Sequence, residues 1–238
     1  MAPAILILAM PPLLATYVAV VILFLDLDKA YAQYMLIAPL AYVLGSIPWG
    51  YLILRVYRGI DVREYGSGRI GTSNVLRTAG KGIAALVLAL DVSKGALAVL
   101  LARAASDTAA AEVTAGLVVL VGHNWPVFLA FRGGRGIGPG AGALAVIAPL
   151  SLVIGLPVFL LVTLSTRLLS LGSLTGITVV LAVVVIQVLV SDFSSAYLIF
   201  VGAGVAMIFW QHRDNIKRLL KNSERRMDPT AQNLLEQE

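Results

Sequence analysis

The chain has 238 residues, of which 59% are hydrophobic and 13% charged, with a mean hydropathy of +0.89. A soluble domain carries about 25% charged residues, and a disordered chain couples low hydrophobicity to high net charge, so both classes are excluded. There is no cysteine, which removes disulfide scaffolds, thiol nucleophiles, Cys-ligated zinc and iron–sulfur clusters. What remains is an all-α, polytopic membrane protein whose net charge of +5 reports orientation through its placement along the chain.

The first apolar run, residues 4–25, is free of charge and long enough, at 1.5 Å per residue, to cross a hydrocarbon core of about 30 Å. It lacks a basic leading region and a small-residue cleavage site, so it reads as a retained span, kinked at Pro11 and Pro12. Further runs cover 34–54, 82–103, 113–131, 137–166, 170–190 and 195–211. The run at 137–166 is too long for one ordinary span and is interrupted by Pro149, Gly155 and Pro157. Charge decides how often it crosses. Arg55, Arg58, Arg63, Arg69, Arg77 and Lys81 crowd the loop after the second span, and Arg213, Lys217, Arg218, Lys221, Arg225 and Arg226 follow the last. Both groups are cytoplasmic only if 137–166 divides near Pro149. The expected topology is therefore eight segments: a seven-segment core with two short segments near Pro149, plus an additional N-terminal span. Both termini are inside. This places 15 of the 18 Lys and Arg residues in the cytoplasm, and Asp26, Asp28, Asp107, Glu112 and Asp192 outside. The short halves suit a tilted or re-entrant pair.

The unusual polar residues gather in three of the cytoplasmic stretches. The first runs from Gly66 to Arg77, with Gly66, Ser67, Gly68, Arg69, Thr72, Ser73, Asn74 and Arg77. Glycines that permit close backbone approach, neutral donors and two guanidinium groups can cradle phosphate oxygens, although an ordinary surface loop has the same composition. The second contains His123 and Asn124, then Arg132, Gly133, Gly134, Arg135, Gly136 and Gly138 opening into an apolar helix. Such a turn can aim backbone N–H groups and a helix dipole at an anion, or simply anchor to lipid headgroups. It is neither a P-loop nor a dinucleotide fingerprint. The third begins at His212. At helical spacing His212, Asn215 and Leu219 share a face toward the membrane boundary, with Arg213, Lys217 and Lys221 in a row toward water. A basic helix there serves equally as a topology anchor. Asp91 and Lys94, in an otherwise apolar segment, are helical neighbours that must pair with each other or line a cavity. Gln187 reads as an interhelical hydrogen bond.

Jointly these stretches resemble the bacterial membrane acyl-phosphate:glycerol-3-phosphate acyltransferases. The resemblance rests on GSIPWGYLI at 45–53, YGSGRIGTSNVLR at 65–77 with LDVSKG at 90–95, GHNWPVFLAFRGGRG at 122–136 and HRDNIKRLL at 212–220. It implies an acyltransferase membrane domain at 31–221, an added segment at 1–30 and a cytoplasmic tail at 222–238. It also implies transfer of a long-chain acyl group from acyl phosphate to the 1-hydroxyl of sn-glycerol 3-phosphate, at the cytoplasmic face of the bacterial inner membrane, giving lysophosphatidic acid and phosphate. Membrane lipid is the other expected partner. No metal, cofactor or nucleic acid is expected. The chemistry fits: both substrates carry phosphate, and the mixed anhydride brings its own leaving group, so no acyl-enzyme is required. There is neither a G-x-S-x-G elbow nor an H-x-x-x-x-D pattern.

The resemblance assigns Ser67, Asn74, Arg77, Arg135, His212 and Asn215 to catalysis. It assigns Gly66, Gly68, Thr72, Ser73, Asp91, Lys94, His123, Asn124, Gly133, Gly134 and Gly136 to substrate binding, with Asp91 and Lys94 as braces. The family pattern has Asn at the position of Arg69, Thr at Ser73, Lys at Arg135 and an Ala-Thr pair at Gly138 and Pro139. A paralogue acting on another phosphorylated alcohol would share these features. A transporter of a phosphorylated solute is a further reading of the arginines and half-spans, though no internal repeat supports it, and a non-catalytic scaffold leaves the donor clusters unexplained.

Overall fold

The computed structural model describes residues 2–26 and 28–227. The expected tail at 222–238 therefore lies outside the described residues from 228 onward, and the expected N-terminal segment at 1–30 does so at residues 1 and 27. Ten α-helices make up the described chain: α1 (Ala2–Phe24), α2 (Ala30–Ser46), α3 (Trp49–Arg58), α4 (Thr72–Ala105), α5 (Ala109–Asn124), α6 (Ile137–Ile147), α7 (Pro149–Thr166), α8 (Leu169–Val190), α9 (Ala196–Gln211) and α10 (Arg213–Leu220). Two short 3₁₀ turns, Val62–Glu64 and Val127–Leu129, fall in the loops. The all-α membrane architecture agrees with the sequence. Five stretches are long and apolar enough to cross a bilayer, α2 with α3, α4, α5 with the 3₁₀ turn after it, α7 and α8, and three shorter apolar helices accompany them.

The second span differs from its expectation. It breaks after Ser46, because Pro48 has no N–H to give and pushes Ile47 out of the helical region to φ −61°, ψ 113°. The freed Ile47 carbonyl accepts a 2.9 Å hydrogen bond from Lys94 Nζ on α4. Beyond the break, α3 runs on with Val56 and Tyr57 largely exposed. The first motif also differs. Thr72, Ser73, Asn74 and Arg77 are not in a loop but on the opening turns of the 34-residue α4. Gly80, at φ +82°, kinks that helix where a residue with a Cβ would be strained, and so separates the motif from the spanning part below.

Division of the long run occurs where expected, between Ile147 and Pro149, but only the first half is short. At about 1.5 Å per residue the 11-residue α6 spans about 16 Å, whereas the 18-residue α7 spans about 27 Å, long enough to cross a slightly thinned core. The reason lies in the R-G-G-R-G turn. Gly138 packs against the Asp91 side chain, and Gly95 and Gly142 bring the α4 and α6 backbones into contact. The first turn of α6 thus already lies at the level of Asp91, and the irregular turn that leads into it is packed against His123 and Asn124. Non-helical backbone at that depth is tolerated because protein surrounds it.

The helices have two chemically distinct poles. At one, Arg103 donates to both carboxylate oxygens of Glu112, at 2.6 and 3.1 Å, and to the Val146 carbonyl at 3.1 Å, and Tyr197 donates to Glu112 at 2.9 Å. This clamp ties the ends of α4 and α6 to the starts of α5 and α9. Between the poles lies a core that includes Val99, Leu120, Leu144, Val184 and Phe200. The three polar stretches occupy the other pole.

Candidate active site

Asn74 organises the first stretch. It is fully buried; its Nδ2 lies 2.9, 3.0 and 2.9 Å from the carbonyls of Val62, Tyr65 and Arg69, and its Oδ1 accepts from the Ser67 N–H at 2.8 Å. Every polar atom of this amide is engaged, so it shapes the loop and leaves substrate contact to its neighbours. Gly66 packs against the Asn74 amide oxygen, where any side chain would collide, and Gly68 lies under the Arg63 carbonyl. The same loop is pinned outside by Arg63, which donates to Asp61 at 2.6 Å and holds that carboxyl below its ordinary pKa. Two polar atoms of the motif stay buried and unpaired, Ser67 Oγ and Arg77 Nε. Thr72 and Ser73 are half-buried beside them.

The second stretch is built on a buried ion pair. Lys94 Nζ lies 2.9 Å from Asp91 Oδ1, both side chains being almost wholly buried, and the same ammonium group holds Ile47. His123 presents Nδ1 at 3.6 Å from that Asp91 oxygen, beyond hydrogen-bonding range. Its carbonyl accepts from the Gly134 N–H at 3.0 Å. Gly134 lies flat on the His123 ring, leaving no room for a side chain, and Gly133 is equally tight against the His123 carbonyl. Asp91, Lys94 and His123 therefore brace the turn from beneath, and do not reach into it. Asn124 sits wholly buried beside Gly136, with both of its amide atoms unpaired. Above, α6 opens at Gly136 without a side-chain cap, so its first N–H groups are free to face an anion.

Arg135 emerges from this turn into a crowd of cations. Burial, and the nearby guanidinium groups of Arg69 and Arg77, push its pKa down to about 10. Arg218 adds to the repulsion, and Glu224 opposes it. Arg135 Nε is buried without a partner. A group of guanidinium ions with unmet donors in a partly desolvated site is the electrostatic complement of a phosphate.

His212 and Asn215 arrive from the third stretch with the shared face expected of them: both are buried, whereas Arg213, Lys217 and Lys221 are exposed. His212 Nδ1 lies 2.8 Å from the Ile208 carbonyl, so the neutral ring donates there and keeps a lone pair on Nε2. Burial and the charge of Arg135 push its pKa down to about 4. Asn215 Nδ2 donates to Glu224 Oε1 at 2.8 Å, its own Oδ1 remaining unpaired, and Arg218 Nε donates to Glu224 Oε2 at 2.9 Å.

Glu224 escaped the sequence reading because it stands beyond the last periodic segment, in a stretch without secondary structure. The chain turns at Asn222, of positive φ, and ties Met227 N–H to the Arg167 carbonyl at 2.7 Å, which carries Glu224 back over α10. The signal that could have found it is the lone acid among Lys221, Arg225 and Arg226.

All three stretches meet at one pole. Arg135 is within electrostatic range of Arg69, Arg77 and Glu224, His212 is within range of Arg135, and residues from each stretch line one cavity of about 320 Å³.

Comparison with known proteins agrees. Residues 35–222 match a family described as Glycerol-3-phosphate acyltransferase. Glycerol-3-phosphate acyltransferase 3 of Dehalococcoides mccartyi (strain CBDB1) is 42% identical over 212 residues, covering 84% of this chain and 98% of the relative. The Rubrobacter xylanophilus glycerol-3-phosphate acyltransferase is 44% identical over 195 residues, covering 81% and 94%. The crystal structure of PlsY (YgiH), an integral membrane glycerol 3-phosphate acyltransferase, in its glycerol 3-phosphate form superposes with a TM-score of 0.76 at 32% identity, over 81% of this chain and 94% of that one. Its lysophosphatidic acid form gives 0.74 at 31% identity.

Proposed function

The chain belongs to the glycerol-3-phosphate acyltransferase family, and from that premise and the cationic pole described above we propose that it transfers a long-chain acyl group from acyl phosphate to the 1-hydroxyl of sn-glycerol 3-phosphate. The products are lysophosphatidic acid and inorganic phosphate, the first committed lipid of phospholipid synthesis. The observation that carries this reading is the convergence of Arg69, Arg77, Arg135 and Arg218, against Glu224, around unpaired Ser67 Oγ and Asn215 Oδ1.

Two anions enter this reaction and two leave. Arg135 and the free N–H groups of α6 stabilise charge on the departing phosphate, while Arg77, Ser67 and Asn215 hold the glycerol phosphate so that its hydroxyl faces the acyl carbonyl. Asn124 and the glycines at 133, 134 and 136 close the wall of the cradle. Asn74, Asp91, Lys94 and His123 act as positioning residues. His212 offers Nε2 to the attacking hydroxyl. With a pKa of about 4 its imidazole is a weak base, so it aligns the hydroxyl and a substrate phosphate oxygen takes the proton. The acyl chain lies among the apolar helices, open to the bilayer. The acyltransferase unit is residues 31–221 extended to Glu224, with 1–30 as an added anchor, and the site faces the cytoplasm of the bacterial inner membrane.

The test is direct. Purified protein in detergent, given palmitoyl phosphate and radiolabelled glycerol 3-phosphate, is expected to form labelled lysophosphatidic acid. Equal activity with acyl-CoA would overturn the donor assignment, and activity on other phosphorylated alcohols but not glycerol 3-phosphate would overturn the acceptor.

The state of His212 has its own signature. The unfolded chain binds a proton near pH 6.5, whereas the folded ring resists it until about pH 4. Because the folded pKa is depressed, the stability contributed by neutral His212 is complete above about pH 6.5 and declines as pH falls toward 4. The thermal midpoint of the parent protein is expected to fall more steeply over that window than that of His212→Gln. Parallel curves would mean that the ring is protonated in the fold.

A further inference from the structure

Acyl transfer leaves one polar group unused, and it lies at the pole opposite the proposed cradle. Glu112, whose side chain is only 8% exposed, accepts from Arg103 Nε at 2.6 Å and Nη2 at 3.1 Å through its two oxygens, and from the Tyr197 hydroxyl at 2.9 Å. Arg103 Nη2 extends the group to the Val146 carbonyl, 3.1 Å away in the last turn of α6. Each of the four helices that meet here carries part of the cradle at its other end. The opening turns of α4 bear Thr72, Ser73, Asn74 and Arg77, α5 ends on His123 and Asn124, α6 opens at Gly136, and α9 runs into His212.

Of the four, α6 has the fewest means of fixing its own position. Its sequence, IGPGAGALAVI, holds no polar side chain, and its contact with α4 is made on backbone, Gly95 against the Pro139 carbonyl and Gly142 against the Val92 carbonyl. Small residues let two helices approach closely, but they present few side-chain ridges to fix how far one slides along the other. The glycine face therefore sets the spacing of α4 and α6, and the Arg103 hydrogen bond to Val146 sets their register. Carbonyls in the last turn of a helix lack partners within it, and a guanidinium group beside them suits the negative end of the helix dipole, whose positive end faces the cradle.

We propose that Arg103, Glu112 and Tyr197 form a positioning centre that sets the axial height of α6, and with it the place where the free N–H groups after Gly136 meet the departing phosphate. The 11-residue helix carries that register over about 16 Å. A misplacement of about 1 Å at a reacting centre can cost about 10²-fold in rate. The catalytic consequence rests on the acyl-transfer reading, whereas the tie between α4 and α6 does not.

Two readouts separate positioning from plain stability. With palmitoyl phosphate, well below the thermal midpoint of every variant, Arg103→Met is expected to lower kcat by about 10- to 100-fold, with the KM for glycerol 3-phosphate within about threefold of the parent. Arg103→Lys keeps the charge but loses the fork, and should hold the midpoint while lowering kcat by about three- to tenfold. Val184→Ala, in the core on α8, lowers the midpoint without touching the clamp and should keep its kcat. Because the chain has no cysteine, nitroxide labels at Leu101→Cys on α4 and Ala145→Cys on α6, both exposed, report the register directly. Their distance distribution should shift or broaden by about one residue rise, roughly 1.5 Å, in both Arg103 variants, and stay unchanged in Val184→Ala. The proposal is overturned by an unaltered distribution in Arg103→Met, by a kcat within about threefold of the parent in that variant, or by an equal loss of kcat in Val184→Ala. A parent protein without acyl transfer would overturn the functional reading instead, and the label distances would still decide whether the clamp holds α6.

Discussion

Arg135→Gln is expected to lower kcat by about 10²- to 10³-fold, the usual cost of removing one preorganised donor from a site where charge develops. The variant should keep its thermal midpoint, because Arg135 Nε has no protein partner to lose and the surrounding cations repel the charge that is removed. Arg135→Lys supplies a point charge on a shorter stem and should recover activity to within about tenfold of the parent, with the residual loss caused by the missing fork. Phosphate release from palmitoyl phosphate in the presence of glycerol 3-phosphate measures all three proteins. A Gln variant within tenfold of the parent would move the leaving-group site away from the R-G-G-R-G turn.

The second large effect is one of architecture. Lys94→Met leaves Asp91 as an uncompensated buried charge and the Ile47 carbonyl without its donor, so it should cost about 3–5 kcal/mol of stability. The double variant Asp91→Leu with Lys94→Met removes both ions, and replacing a buried pair with apolar residues is often close to neutral. It should recover at least half of the lost stability in a thermal or denaturant assay. Activity should stay low in both proteins, because the same pair braces the break at Pro48 and lies beneath His123, on which the glycine turn rests. Equal destabilisation in the single and double variants would show that packing, and not charge, sets the role of this pair.

These two residues show how unevenly the site was legible. Lys94 and Asp91 stood out because ions in an apolar run are costly, and their i, i+3 spacing announced the pair. That the ammonium would also take the Ile47 carbonyl could not be read, since the bond joins positions 47 apart in the chain. Asn74 is the reverse case. Its place in a donor-rich motif suggested substrate contact, but its carboxamide is used up on four backbone groups of the preceding loop. Glu224 joins Asn215 and Arg218 only because the chain reverses after α10.

The linear order of residues determined how many apolar segments there are, where the long run divides and which stretches bear charge. Those features depend on the length of uninterrupted hydrocarbon, on the missing N–H of proline and on the cost of carrying a cation across a bilayer, all of them local. Tertiary structure alone decided that α6 is half-length, that Lys94 takes the carbonyl freed at Ile47, and which polar atoms remain unspent. These follow from close backbone contact at Gly95, Gly134 and Gly142 and from hydrogen bonds between distant segments, because a donor is available to a ligand only after the folded neighbourhood has taken what it needs.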